Sequence, residues 1–398
     1  MPPARRDRVR VLMVTGAYHP EISSGGEQCR NIARQLSGRA EVNVLTTSVD
    51  ASLPRHDRVD DVPVTRIRVD VRSEVSRLRA LRRMVIDLIR LVRRSDIVHI
   101  HGYSTKNVLV TIVAKAFRKP LVMSLHTAGY DEPAAIEQQG SLALWAFLSA
   151  DLYLSVSRGL VDTYLAAGLP EEKIRLVPNG IDIDRFQPAT AAEQQALRGE
   201  LGLPADTPII VFVGFFSADK QPRVLFDAWR SVLRDGAGQP ALVFVGATRS
   251  AYFEVDDTIA PAMLRDAEAD DVADLLQFAG VTHDVPSYLR AADVFVLPSK
   301  REGLPVALLE AMSCGLPCIA SRLPGSTDAI IEDGVNGVLI TPGHPGELAA
   351  ALAALLTDRD RRLRLGAAAR ATIAREYSSA TVADRWLEAY DLIPALAR

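Results

Sequence analysis

Two glutamates, Glu302 and Glu310, stand with seven residues between them in the segment SKREGLPVALLEAMSCGLPCIAS, residues 299–321. Glu302 follows a short apolar run, and Glu310 lies inside the apolar helical run VALLEAM. A carboxylate in apolar surroundings needs hydrogen-bond partners, because its desolvation is costly. Sugar or ribose hydroxyls supply them, and so does an arginine in a structural ion pair. Pro305 is placed as an early helix residue and Gly315 as the helix stop. The backbone N–H groups around Gly303 and Leu304 then lie at a helix N-terminus, which suits a diphosphate. A second anion-binding candidate is the glycine pair Gly25–Gly26, in the loop Tyr18–Gly26 ahead of a helical pattern ending near Gly38. Adjacent glycines at a strand-to-helix turn let backbone N–H groups approach an anion, although the same pair also makes a plain flexible turn. Neither G-x-G-x-x-G nor a Gly-Lys-Ser/Thr loop is present there.

Other polar pairs carry weaker chemistry. His99 and His101 alternate along one run and face one side, without the third ligand that zinc requires. Cys314 and Cys318 read as small buried thiols. With Cys29 they make three cysteines in 398 residues, which predicts a reducing cytosol rather than a disulfide framework.

The elements that must position these residues follow from hydropathy. Apolar, β-branched runs occur at 9–15, 41–47, 62–69, 97–101, 121–126, 152–157 and 174–178, and again at 209–214, 241–246, 275–280, 294–299, 317–321 and 337–340. Helical patterns between them include Arg77–Val92, Ala191–Leu201, Pro222–Leu233, Pro305–Cys314, Glu347–Leu356 and Ala380–Leu392. Near-continuous apolar strands alternating with helices predict parallel sheets buried on both faces, an α/β class with doubly wound domains. The polar stretch Pro188–Pro208 separates the two sets. Residues 1–186 are expected to form one Rossmann-like domain, 187–379 a second, and 380–398 a helix crossing back to the first, with a ligand cleft between the domains. Ligands of such sheets sit beyond the carboxyl ends of the strands.

Composition narrows the function. The chain is 48% hydrophobic and 24% charged, with net charge −3, as ordinary globular proteins are. No run of about 20 apolar residues is long enough to span a membrane, and the first residues lack the apolar core of a secretory leader. The pI of about 6.2 argues against general nucleic-acid affinity. The charge is uneven: residues 1–185 hold 27 basic against 21 acidic side chains, and residues 186–398 hold 19 against 28.

The ensemble resembles retaining glycosyltransferase family 4, whose fold is GT-B. The resemblance rests on Glu302 and Glu310, Gly25–Gly26, the strand ending in His126, VPNGIDIDRF (177–186), VGFFSADK (213–220), FAGVTHDVPSYLRAADVFVLPS (278–299) and EDGVNGVLI (332–340), and it covers nearly the whole chain. It implies that Glu302 faces the donor sugar and Glu310 holds the ribose. It also implies that Gly214, Lys220 and the backbone at Gly303–Leu304 face the diphosphate, and that His126 lies beside the reacting sugar. The aspartates Asp182 and Asp184 then belong to a hinge motif rather than to a metal site. The implied reaction is metal-independent, retaining transfer of a hexose from a UDP- or GDP-sugar to an acceptor hydroxyl. No other cofactor is required. Loops near Tyr103, Tyr130 and Asp131 are expected to shape acceptor choice.

One position departs from the pattern. The family places arginine after the glycine of the VG pair, where this chain has Phe215. Arg223 and Arg249 are the candidate replacements. Either one of them substitutes or the chain is a variant subgroup; Phe215 also favours a nucleotide-sugar-binding or scaffold protein that has lost catalysis, and an epimerase acting on a nucleotide sugar is a further alternative. Residues 72–94 carry eight arginines against Glu74 and Asp87. Leu78, Leu81, Val85, Leu88, Ile89 and Val92 are expected to pack on the first sheet. The arginine face is then either solvated or docked on an anionic membrane from the cytoplasmic side.

Overall fold

A computed structural model describes residues 8–21, 24–70, 74–104, 106–236, 238–249 and 255–393. The chain divides into two units. One runs through Gly180 and resumes at Ser379; the other is Ile181–Ser378.

The first unit contains β1 (Arg10–Thr15), α1 (Ser24–Leu36), β2 (Glu41–Ser48), β3 (His56–Val59), β4 (Val62–Arg68), α2 (Glu74–Arg94) and β5 (Ile97–His101). It continues with α3 (Asn107–Ala116), β6 (Leu121–Leu125), α4 (Pro133–Glu137), α5 (Ser141–Leu148), β7 (Leu152–Ser155), α6 (Arg158–Ala166) and β8 (Ile174–Leu176). The sheet order is β3-β4-β2-β1-β5-β6-β7-β8. All neighbours are parallel except β3 and β4.

The second unit contains α7 (Ala191–Glu200), β9 (Ile209–Val213), α8 (Pro222–Arg234), β10 (Ala241–Val245), α9 (Ile259–Ala269), β11 (Leu276–Gly280), α10 (Val285–Ala291) and β12 (Val294–Leu297). It ends with α11 (Val306–Ser313), β13 (Cys318–Ser321), β14 (Val338–Ile340), α12 (Pro345–Thr357) and α13 (Arg359–Glu376). Its parallel sheet has the order β11-β10-β9-β12-β13-β14. The last helix, α14 (Ser379–Asp391), belongs to the first unit, where Trp386 and Tyr390 enter a core with Ile32 and Leu36 of α1.

The continuous apolar runs have a direct cause. In β9, Ile209 and Val211 face one core while Ile210 and Phe212 face the other, and β10 divides its side chains in the same way. A strand covered by helices on both faces has no polar side to alternate with.

Two expectations need correction. The edge strand β3, with sequence HDRV, is absent from the apolar runs. It is polar, pairs antiparallel with β4, and returns through Asp60 and Asp61, both at positive φ. Consecutive left-handed residues are what a two-residue hairpin turn requires, and aspartate tolerates them. The arginine-rich helix buries only part of the expected face, keeping Leu88 and Val92 inward. Ala80, Met84, Leu88 and Val92 are buried, whereas Leu78 and Leu81 are exposed. Asp87 explains part of this roll: it is buried and accepts two hydrogen bonds from Arg55, at 2.7 and 3.0 Å. Arg72 lies outside the described residues.

Candidate active site

Each sheet reverses its strand order once, at β1 between β2 and β5 and at β9 between β10 and β12. Ligands of doubly wound sheets sit beyond the carboxyl ends of the strands at such a switch point. In the second unit the two chain segments leaving that point are 214–221, after β9, and 298–305, after β12.

These segments are laced together. Lys300 N–H donates to the Asp219 carbonyl at 2.7 Å, and Arg301 pairs with the Asp219 carboxylate at 2.6 Å. Lys220 Nζ lies 2.6 Å from Glu302 Oε1, and the same oxygen accepts from Ser299 Oγ at 2.7 Å. The Glu302 side chain is 7% exposed and that of Lys220 27%. Gln221 follows in the left-handed region at φ 51 and turns the chain into α8. α11 starts from Pro305 with no side-chain cap, so the N-terminal end of this helix sits beside Glu302, Gly303 and Leu304. A hydroxyl-bearing ligand with an anionic group suits this arrangement: one carboxylate, one ammonium and the positive end of a helix.

Glycines allow the strand ends to converge. Gly246 has φ 140, and a Cβ there would lie 2.1 Å from the Gly214 carbonyl oxygen. Gly214 N–H bonds Val245 O at 2.9 Å, and Gly246 N–H bonds Gly280 O at 2.8 Å. The two phenylalanines after Gly214 diverge. Phe216 is fully buried against Phe212, Phe244 and Phe278, while Phe215 is 46% exposed. Phe216 anchors the segment, and Phe215 occupies the position where the family carries arginine.

Arg223 does not stand free to replace that arginine. It pairs with Asp227 at 2.9 Å and Asp266 at 2.7 Å. Arg249 is exposed, and no carboxylate among the described residues pairs with it. Glu310 is half-buried in α11 rather than fully enclosed, and its charge, after burial itself, helps push the Cys314 thiol up to about 12. Asp182 receives the N–H groups of Asp184 and Arg185 at 3.2 and 3.1 Å, a local turn that uses one oxygen of the D-x-D pair.

At the switch point of the first unit the imidazoles form a column. The rings of His99 and His101 stack at 4.6 Å, and those of His101 and His126 at 5.7 Å. Trp386 covers the column, 4.8 Å from His99 and 5.4 Å from His101. His99 bonds Tyr390 Oη and Ser124 Oγ, both at 2.7 Å. The ring nitrogens of His101 and His126 are buried without a partner. Burial pushes His99 down to about 3 and His101 well below the ordinary 6.5; it also lowers His126, against the opposing charge of Asp131. His126 is therefore a neutral hydrogen-bonding group at neutral pH and not a cation.

The residues expected to meet an acceptor have structural duties. Asp131 is buried and accepts the backbone N–H groups of Tyr103, His126 and Thr127 at 2.7, 2.7 and 2.9 Å. Its carboxylate organises the turn that carries His126. Tyr103 Oη donates to the Ala143 carbonyl at 2.9 Å. Tyr130 is exposed. Gly25 and Gly26 lie within the first turn of α1 rather than in the loop before it. The sequence reading missed Trp386 and Tyr390, whose spacing of four residues on one helix face was the available signal.

Two doubly wound Rossmann-like units, each with polar residues gathered at its switch point, define the GT-B class. Comparison with known proteins agrees. Residues 25–185 match the family described as Glycosyltransferase Family 4, and residues 193–372 match Glycosyl transferases group 1. The alpha-maltose-1-phosphate synthase of Mycolicibacterium smegmatis is 27% identical over 409 residues, covering 97% of this chain and 100% of that one. A D-inositol 3-phosphate glycosyltransferase of Xylanimonas cellulosilytica is 30% identical over 331 residues, covering 75% of this chain and 73% of the other. Among solved structures, Anabaena HepE in complex with UDP superposes with a TM-score of 0.78 at 21% identity, covering 96% of this chain and 100% of that one. The chain belongs to the group 1, family 4 glycosyltransferases.

Proposed function

We propose that this glycosyltransferase moves a hexose from a nucleoside diphosphate sugar to an acceptor hydroxyl with retention of anomeric configuration. The observation that carries the reading is the Lys220–Glu302–Ser299 cluster at the β9/β12 switch point, beside the start of α11. In this reading Lys220 and the backbone at Gly303–Leu304 receive the diphosphate, where negative charge grows as the leaving group departs. Glu302 orients the sugar, Glu310 holds the ribose, and neutral His126 donates or accepts one hydrogen bond at the reacting sugar. The leaving diphosphate takes the acceptor proton, so no metal enters the scheme. UDP is favoured over GDP by analogy with HepE, which has been solved with UDP and with UDP-glucose.

Phe215 favours a second reading, a binding protein that has lost transfer. Incubating the protein with UDP- and GDP-hexoses and following free sugar and UDP or GDP by NMR separates the two. An α-configured product from an α-linked donor supports retention, and an inverted product excludes it. Binding with neither transfer nor hydrolysis selects the second reading.

We place the work of this enzyme in the cytoplasm, at the surface of an anionic membrane. Arg79, Arg82, Arg83 and Arg90 of α2 are exposed, and no carboxylate among the described residues pairs with them, which supports that placement. No helix among the described residues is long and apolar enough to cross a membrane. Flotation with anionic vesicles should succeed at low salt and fail near 1 M, where the Debye length falls to about 3 Å.

A further inference from the structure

Outside the sites described above, the first unit holds a pocket of about 410 Å³ between the end of β4, α2 and α3. That volume lies within the roughly 300–1,000 Å³ of small-molecule sites. Ile67, Val69, Ala80, Met84, Leu109 and Ile112 wall it, and polar side chains enter only as Lys106 and Thr47. Leu81, also in the lining, is exposed, and Leu78 continues the apolar strip one turn earlier on α2.

Lys106 has no anion beside it among the described residues. Its Nζ makes one hydrogen bond, to Thr47 Oγ1 at 2.8 Å, and no carboxylate among the described residues pairs with it. An ammonium has three N–H donors. Burial lowers the basicity of this amine, the direction expected for a cation taken out of water without compensation. Its location is informative too. Thr47 lies near the carboxyl end of β2, and its hydroxyl donates to the Gly16 carbonyl just beyond β1, at 2.5 Å. The amine thus stands at the carboxyl edge of the sheet, next to the strand where the order reverses, while the apolar cavity runs outward under α2.

We propose that this pocket takes a single hydrocarbon chain of an anionic amphiphile, with the anionic head on Lys106. The further step, that this amphiphile is the acceptor, rests on the transferase reading above; the binding itself does not.

The test is calorimetric titration of the full-length protein with octyl, decyl and dodecyl phosphate below their critical micelle concentrations, with inorganic phosphate and dodecanol as controls. Affinity should rise roughly tenfold for each two carbons added until the pocket is full. Lys106→Met should weaken dodecyl phosphate at least tenfold and bring it level with dodecanol. Leu81→Glu, at an exposed position that leaves the core intact, should weaken the longer esters most. The proposal is overturned if affinity does not change with chain length, if inorganic phosphate binds as tightly as the dodecyl ester, or if both variants bind as the parent does. UDP titration of the same samples keeps the two readings apart. Flat chain-length dependence with normal UDP binding removes this proposal alone. Chain-dependent binding in a protein that binds no nucleotide or nucleotide sugar removes the transferase reading and leaves the pocket.

Discussion

Lys220 Nζ and Glu302 Oε1, 82 residues apart in sequence, meet at 2.6 Å between the segments leaving β9 and β12. The two residues proposed to meet different parts of a donor, diphosphate and sugar, thus form one electrostatic unit. Removing one partner of a pair this buried costs more than a surface ion pair does, because the other charge remains desolvated. Lys220→Met should lower kcat by about 10²–10³-fold, weaken UDP binding, and lower stability. The double variant Lys220→Met/Glu302→Gln should be more stable than Lys220→Met alone, with a coupling of about 0.5–3 kcal/mol. Urea melts and UDP titrations of the four proteins measure both effects. Parental UDP affinity in Lys220→Met would remove the diphosphate role.

The two candidate substitutes for the missing arginine should behave differently. Arg223 already serves Asp227 and Asp266, so Arg223→Ala should leave transfer within about twofold and shift stability by no more than about 1 kcal/mol, as exposed ion pairs do. Arg249→Ala should reduce transfer by about two to three orders of magnitude, roughly the effect of removing one preorganised donor. Full activity of both variants would mean that no substitute cation comes from these positions.

The imidazole column makes a prediction about acid. His99 and His101 have folded-state affinities for protons below the unfolded value of about 6.5. Between about pH 6.5 and 3 the unfolded chain binds protons that the folded chain does not, so stability falls as pH falls through that window. The slope is at most about 1.4 kcal/mol per pH unit for each histidine. His99→Gln, whose amide can still meet Tyr390 and Ser124, should flatten the decline by up to that amount. Urea midpoints at pH 7, 6 and 5 for the parent and the variant would show it; parallel curves would contradict the burial argument.

Gly246→Ala tests the convergence of the strand ends. The added methyl would meet the Gly214 carbonyl at 2.1 Å on a backbone at φ 140. Overpacking of this kind costs about 1–3 kcal/mol, and the movement would displace the segment that carries Lys220. Both a lower urea midpoint and weaker UDP binding are expected. A stable variant with normal UDP affinity would show that this close approach does not set the site.

The sequence by itself determined the α/β class, the parallel strands and the order of the motifs, because strands buried on both faces must be apolar along their length and the glycines and prolines mark their ends. Its omission, β3, is an edge strand with one polar, solvated side, and so it lacks that signature. Helix faces were less legible. Part of the roll of α2 follows from Asp87 meeting Arg55, 32 residues away, which no periodicity within α2 records.

The site divides along the same line. Glu302 and Glu310 were legible as residue types in a local pattern, and Lys220 and His126 through the family resemblance. That Lys220 pairs with Glu302, that Arg223 is engaged by Asp227 and Asp266, and that Asp131 holds the turn of His126 depended on which segments become neighbours. Tyr390 reaches His99 across 291 residues only because α14 returns to the first unit. Local periodicity reports burial, since each element must hide its own apolar face. Side-chain partnership depends on strand order and helix docking, where many weak contacts across the whole chain select one arrangement, and only the tertiary structure records that choice.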